Sequence, residues 1–267
     1  MEISDKQLNY KNEFTLSREN QNIIDNIVFI DGFSGSGKSL IASLFGYLQK
    51  TEKWQLDSKY EYVAILYYLD KINIDTAKTM LHLIADNHIY DLMLSRNVNF
   101  RTSDQSSPHY DGLEEKYLKR LSKMDGDKVV EDIKFNKYIL PIHVHYIFGN
   151  SDILFSSYKA KLKLYLMVLR NPFDLIKAWH EGNWVNRIAN DNRDYHICVQ
   201  KDNNIVPWYT IDYYEEYISA NDMEKAILTI YYYYKKVFTQ YNNLSVINKN
   251  KTLLLIQIGI LIRYVIS

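Results

Sequence analysis

The residues with the clearest chemistry stand at Gly32-Phe-Ser-Gly-Ser-Gly-Lys-Ser39, a match to G-x-x-x-x-G-K-[ST]. Glycines at 32, 35 and 37 let the backbone turn so that successive N–H groups face inward and cradle anionic oxygens. A helix starting near Lys38 aims its positive dipole end at the same point. Phe33, Ser34, Gly35, Ser36, Gly37, Lys38 and Ser39 are therefore expected to hold a phosphate group. Lys38 adds a point charge, and Ser39 a hydroxyl for phosphate or a metal. The second set is Arg170-Asn-Pro-Phe-Asp174. Asn171 suits an N-cap, Pro172 the first helical position, and Asp174 the third place after the cap. Arg170 beside that helix start makes a second anion site. His143 and His145 alternate along an apolar segment, which puts both on one face. Either can act as a general base, with an unperturbed pKa of about 6.5. His145 is preferred because it lies nearer the end of its strand. Arg96 and Arg101 are candidate anion contacts to a substrate.

These groups need a scaffold that brings strand ends together. Asn26 to Ile30 is a short apolar run closed by Asp31-Gly32, as expected of a strand buried on both faces. A helix follows from Ser39 to Lys50, with Leu40, Leu44, Phe45 and Leu48 at helical spacing. Glu61 to Asp70 fits a helical stripe better than a strand, and Asp75 suits the N-cap of a helix running to about Leu94. Ser95 to Tyr110 is polar and reads as a loop, and Leu113 to Phe135 as mostly polar helix. Tyr138 to His145 and Leu162 to Leu169 are further strands, the second a solid apolar run. Met223 to Phe238 is a tyrosine-rich helix in which Tyr231 to Tyr234 cannot all be buried. Asn242 to Lys251 reads as a loop or linker, and the apolar tail after it as a last strand with an extension or as a truncated region. The expected architecture is a single α/β domain, a P-loop-type parallel β-sheet flanked by helices, over residues 26–267. A polar lead-in over residues 1–25 precedes it.

The chain has 267 residues, with 32 basic and 32 acidic side chains, and 47% hydrophobic residues. Zero formal charge argues against a broad nucleic-acid footprint but leaves room for a small cationic pocket. Cys198 is the one cysteine, which excludes a disulfide framework and points to the reducing cytoplasm. No basic start followed by an apolar run marks a secretory signal at the N-terminus. Thr252 to Ile266, interrupted by Gln257 and Arg263, is shorter than the roughly 20 residues of a membrane span. No cysteine or histidine lies at a zinc-like spacing, so no structural metal is expected. Trp179, Trp184 and Trp208 are read as core residues before ligand-facing ones.

A strand ending in Arg-Asn-Pro-x-Asp, downstream of an N-terminal phosphate loop, resembles the 3′-phosphate-binding element of sulfotransferases. The stretch Leu169-Arg-Asn-Pro-Phe-Asp-Leu-Ile-Lys-Ala-Trp-His-Glu-Gly-Asn-Trp184 is similar to bacterial sulfotransferase-like proteins, as is Ile205-Val-Pro-Trp-Tyr209. The likeness runs from about residue 26 to about 240, and these short motifs carry it. It implies 3′-phosphoadenosine 5′-phosphosulfate (PAPS) as donor, its 5′-phosphosulfate on the first loop and its 3′-phosphate on Arg170. No metal is required, and the acceptor is a small molecule or glycan. The family usually has a serine eight positions after the arginine; Ala178 holds that place here, with Lys177 beside it as a further cation. The first loop also departs from the family's common Lys-x-Gly-Thr-Thr pattern. The resemblance places the catalytic base at the end of the strand preceding the arginine strand, where His143 and His145 lie. Glu131 and Asp132 are its carboxylate alternatives. Lys38 would then stabilise charge on the bridging oxygen as sulfate departs.

The unmodified Lys38-Ser39 pair also fits an ATP-dependent small-molecule kinase. Such an enzyme needs a second acid to hold magnesium, and Asp70, closing Val63-Ala-Ile-Leu-Tyr-Tyr-Leu69, is the candidate. Arg170 instead of an acid at the end of the central strand favours the sulfotransferase.

Overall fold

The computed structural model describes residues 14–122, 126–188 and 190–257. The start of the expected lead-in and the end of the apolar tail, Arg263 included, lie outside them. The chain is an α/β protein built on a five-stranded parallel sheet with helices packed on it. Its strands are β1 (Asn26–Gly32), β2 (Gln55–Leu56), β3 (Ile139–His143), β4 (Leu162–Arg170) and β7 (Thr252–Gln257), in the order β2-β3-β1-β4-β7. A separate antiparallel hairpin pairs β5 (Cys198–Lys201) with β6 (Asn204–Pro207).

Burial on both faces explains the solid apolar runs. Along β1, Ile27 and Phe29 enter the large core on one side, while Val28 and Ile30 join Ala42, Trp54, Leu166 and Val168 on the other. Ala42 belongs to α1 (Lys38–Phe45), which leaves the sheet directly after the glycine-rich loop. α1 is shorter than the sequence suggests: it ends at Phe45, with Gly46 as its C-cap, and Leu44 and Leu48 face solvent. The large core is filled by α2 (Lys59–Tyr68), α3 (Ile74–Met93) and α6 (Asp152–Tyr158), among others. Before α6 come α4 (Glu114–Arg120) and α5 (Gly126–Asn136).

Four further expectations need correction. Asn73, not Asp75, caps α3, because its Oδ1 reaches the Thr76 N–H at 3.0 Å; Asp75 instead accepts the Leu16 N–H. β3 stops at His143, so His145 lies just past the strand. Asp70 ends no strand: it follows α2 in a left-handed turn at φ 54°. The linker expected over 242–251 begins inside a long helix and contains a short one, Val246–Lys249. After it, β7 pairs in parallel with β4, setting Arg170 opposite Gln257. Among the described residues no helix is long and apolar enough to cross a membrane.

Candidate functional site

β1 lies between β3 and β4, so the carboxyl ends of three adjacent parallel strands open on one edge. In open α/β sheets that edge is where ligands bind. The loop leaving β1 has Gly35 and Gly37 both at φ 84°, which an L side chain rarely adopts. A Cβ at Gly32 would stand 2.6 Å from Ser36 Oγ and 2.7 Å from the Val168 carbonyl, so only glycine fits. Among the described residues, the N–H groups of Gly35, Gly37, Lys38 and Ser39 have no acceptor, and Ser36 Oγ is buried without a partner. Four unsatisfied donors ahead of a helix N-terminus form a cradle for an anion.

The loop is held from below. Phe33 packs against Tyr146, Trp179 and Tyr233, with ring centroids 4.3–4.7 Å away. Trp179 Nε1 donates to the Ser34 carbonyl at 2.9 Å, and the Ser34 hydroxyl is hydrogen-bonded to Tyr146 Oη. Tyr146 is buried at φ 62°, a strained backbone for so large a side chain. Lys38 is 4% exposed and donates to the Phe33 carbonyl at 3.3 Å. Burial pushes its ammonium well below the usual lysine range, while Asp31 and Glu61 pull it back up.

Arg170 ends β4 and donates from Nη1 to the Gly35 carbonyl at 2.9 Å. Its Nε is buried without a partner, and its backbone is pinned by Tyr234 Oη. The two expected anion elements therefore touch. Asn171 caps α7 (Pro172–Glu181) through the Phe173 N–H at 2.9 Å, as expected. Lys177 does not join Arg170; it is exposed and pairs with Glu181 at 3.8 Å, while Ala178 is half-buried on the same helix.

The histidines meet with their rings 5.2 Å apart. His143 is 3% exposed and lies against Trp54, with neither ring nitrogen partnered. His145 differs, because Glu61 Oε1 takes both its backbone N–H (2.8 Å) and its Nδ1 (3.1 Å). An oxygen that already accepts the backbone N–H favours an Nδ1–H tautomer and leaves the Nε2 lone pair for a ligand. Burial, with Lys38 adding to it, holds the His145 imidazole well below its usual pKa, so it is neutral at pH 7. Burial likewise pushes Glu61 up to about 8.

A cleft of about 810 Å³ brings His143 and His145 together with Ser39, Trp54 and Arg101. Arg96 is absent from it and lies over the Tyr90 ring, 5.5 Å from its centroid. Asp132 bonds Asn136 at 2.6 Å within α5, and neither Glu131 nor Asp132 lines the cleft. Asp70 is not among its lining residues either; the carboxylate there is Asp104. The outer wall is the 97–106 loop, clamped by buried Lys53, whose Nζ donates to the Gln105 carbonyl (3.0 Å) and to Asp111. Trp179 and Trp208 are core residues, each 1% exposed.

Sequence reasoning missed three residues. Asp31 accepts the N–H groups of Gly32 and Ile147 and the Tyr165 hydroxyl, joining the end of β1 to the loop after β3 and to the middle of β4. Its signal was an acid at the end of an apolar strand. Glu61 sits in a helical stripe and Tyr146 in a turn, and neither has a local signature. Among the described residues no group of three or more His, Cys, Asp or Glu side chains is placed to hold a metal ion. No protein-family model matches the chain, and no curated protein matches it.

Proposed function

We propose that the chain is a sulfotransferase on a P-loop-type fold, moving a sulfuryl group from PAPS to a hydroxyl or amine of a small-molecule or glycan acceptor. The observation that carries this reading is the 2.9 Å contact between Arg170 and the Gly35 carbonyl, which joins a guanidinium to the anion cradle on the next strand. The unpartnered loop amides, Ser36 Oγ and Arg170 Nε fit a ligand with two separate anionic groups. PAPS, when bound, supplies an activated sulfuryl group and a phosphate leaving group.

The chain's own residues then have distinct tasks. The amides of Gly35, Gly37, Lys38 and Ser39 hold the 5′ anion, and Arg170 the 3′-phosphate. His145 Nε2 accepts the proton of the acceptor's hydroxyl or amine as its oxygen or nitrogen bonds to sulfur. Lys38 neutralises charge on the phosphate oxygen as its bond to sulfur breaks. Arg101, on the wall of the 810 Å³ cleft, is positioned to contact the acceptor, with His143 beside the base. Metal-dependent phosphoryl transfer calls for an acid at a strand tip near Ser39. His143 and Arg170 end the two strands that flank β1, and Asp31 near the end of β1 is buried and takes three hydrogen bonds from the protein itself, which favours sulfuryl transfer.

Calorimetry tests the reading. 3′,5′-Bisphosphoadenosine (PAP) should bind without magnesium and more tightly than adenosine 5′-monophosphate. Binding of ATP–magnesium with none of PAP would overturn it in favour of a kinase.

A further inference from the structure

A smaller cavity of about 200 Å³ shares His145 and Leu56 with the large cleft. It holds a second histidine–carboxylate pair, in which His196 Nδ1 is hydrogen-bonded to Asp194. A carboxylate only accepts, so a proton is on Nδ1, and the neutral imidazole then offers its Nε2 lone pair. The His196 ring is braced by Tyr146, with centroids 5.4 Å apart, and Tyr146 also reaches Ser34 of the anion loop. Among the described residues, neither His145 Nε2 nor His196 Nε2 has a hydrogen-bond partner, and neither is a fully buried orphan. Two imidazoles thus line one small cavity, His145 held at Nδ1 by Glu61 and His196 at Nδ1 by Asp194. Ser34 and Ser58 add hydroxyls to the same wall.

A pair of fixed acceptors is satisfied by a pair of donors. We propose that this cavity is a second acceptor subsite, in which His196, positioned by Asp194, takes a hydrogen bond from a donor adjacent to the group that His145 deprotonates. The substrate class is then a vicinal diol or an amino alcohol. An isolated hydroxyl would leave the His196 lone pair unmet. The inference rests on the sulfotransferase reading for the role of His145, but the subsite itself does not depend on the donor.

Long-range proton–nitrogen NMR on histidine-labelled full chain tests it, first with PAP and then with two probes, myo-inositol for the diol and glucosamine for the amino alcohol. The expected result is that at least one probe shifts His145 Nε2 and His196 Nε2 together along one saturation curve. H196Q should then weaken that probe about three- to tenfold, as expected for one lost hydrogen bond, while PAP affinity is unchanged. Movement of His145 alone, or of neither histidine with either probe, overturns the subsite even if PAP binds. Joint movement of both histidines in a protein that fails to bind PAP keeps the subsite and removes the donor assignment.

Discussion

Replacing Glu61 by glutamine removes one ionisable group from the site while keeping an oxygen for the His145 N–H. Burial holds the folded carboxyl's pKa at about 8, against 4.5 for an ordinary glutamate. Below pH 4.5 both folded and unfolded chains carry the proton, and the contribution to stability is fully present. As pH rises the unfolded chain ionises first, so this contribution declines by about 1.4 kcal/mol per pH unit until Glu61 ionises in the fold near 8. From roughly pH 5.5 to 7.5, wild type should therefore lose on the order of 3 kcal/mol of stability relative to E61Q. The depressed His145 contributes a slope of opposite sign in both proteins, and glutamine keeps an oxygen on its Nδ1 so that the difference reads mainly Glu61. Urea unfolding at pH steps, followed by tryptophan fluorescence, measures this through the midpoint at constant slope. Parallel midpoint curves for the two proteins would show that Glu61 is ionised in the fold, and would refute the assignment of a neutral acid behind His145.

Three further outcomes follow from the same geometry. R170A should weaken PAP about 10- to 150-fold, the loss of a charge-assisted hydrogen bond of about 1.5–3 kcal/mol, and leave adenosine 5′-monophosphate within about twofold by calorimetry; equal losses for both would remove Arg170 from the 3′-phosphate. H145Q should lower turnover by about 10²- to 10⁴-fold with unchanged PAP affinity, and wild-type turnover should show no fall centred near an ordinary histidine pKa, because burial keeps the imidazole from protonating there; such a fall in a pH–rate profile would contradict this. W179F removes the donor to the Ser34 carbonyl, so PAP affinity should drop about three- to tenfold together with a fall in melting temperature from the void left in the core; an unchanged affinity would separate Trp179 from the loop.

Local signals carried the α/β fold and the elements that frame the candidate site. The Gly32–Ser39 motif, the apolar runs of β1 and β4, and the Asn171–Pro172 cap are contiguous patterns, and each falls at the strand, turn or helix start that its residues predict. The missing parts are contacts made across long sequence separations. Glu61 reaches His145 from 84 residues away, and Trp179 reaches Ser34 from 145. No periodicity reports such pairs, because the tertiary fold alone brings them together. Lys177 shows the converse limit: proximity to Arg170 in sequence gave it a role, but helix geometry turns it toward Glu181.

The clamp at Lys53 has a consequence for anyone wishing to alter what the cleft accepts. Its ammonium fastens the chain at Gln105 and Asp111, and the next residue, Trp54, is part of the floor. Val98 and Phe100 pack on the large core, so exposed residues 101–104 form the span open to change before that anchor. Insertions within that span can reshape the mouth without disturbing the phosphate cradle, whereas changes at 105–111 would strip a buried cation of its counter-ion and loosen floor and wall at once. Library design belongs on the near side of that anchor.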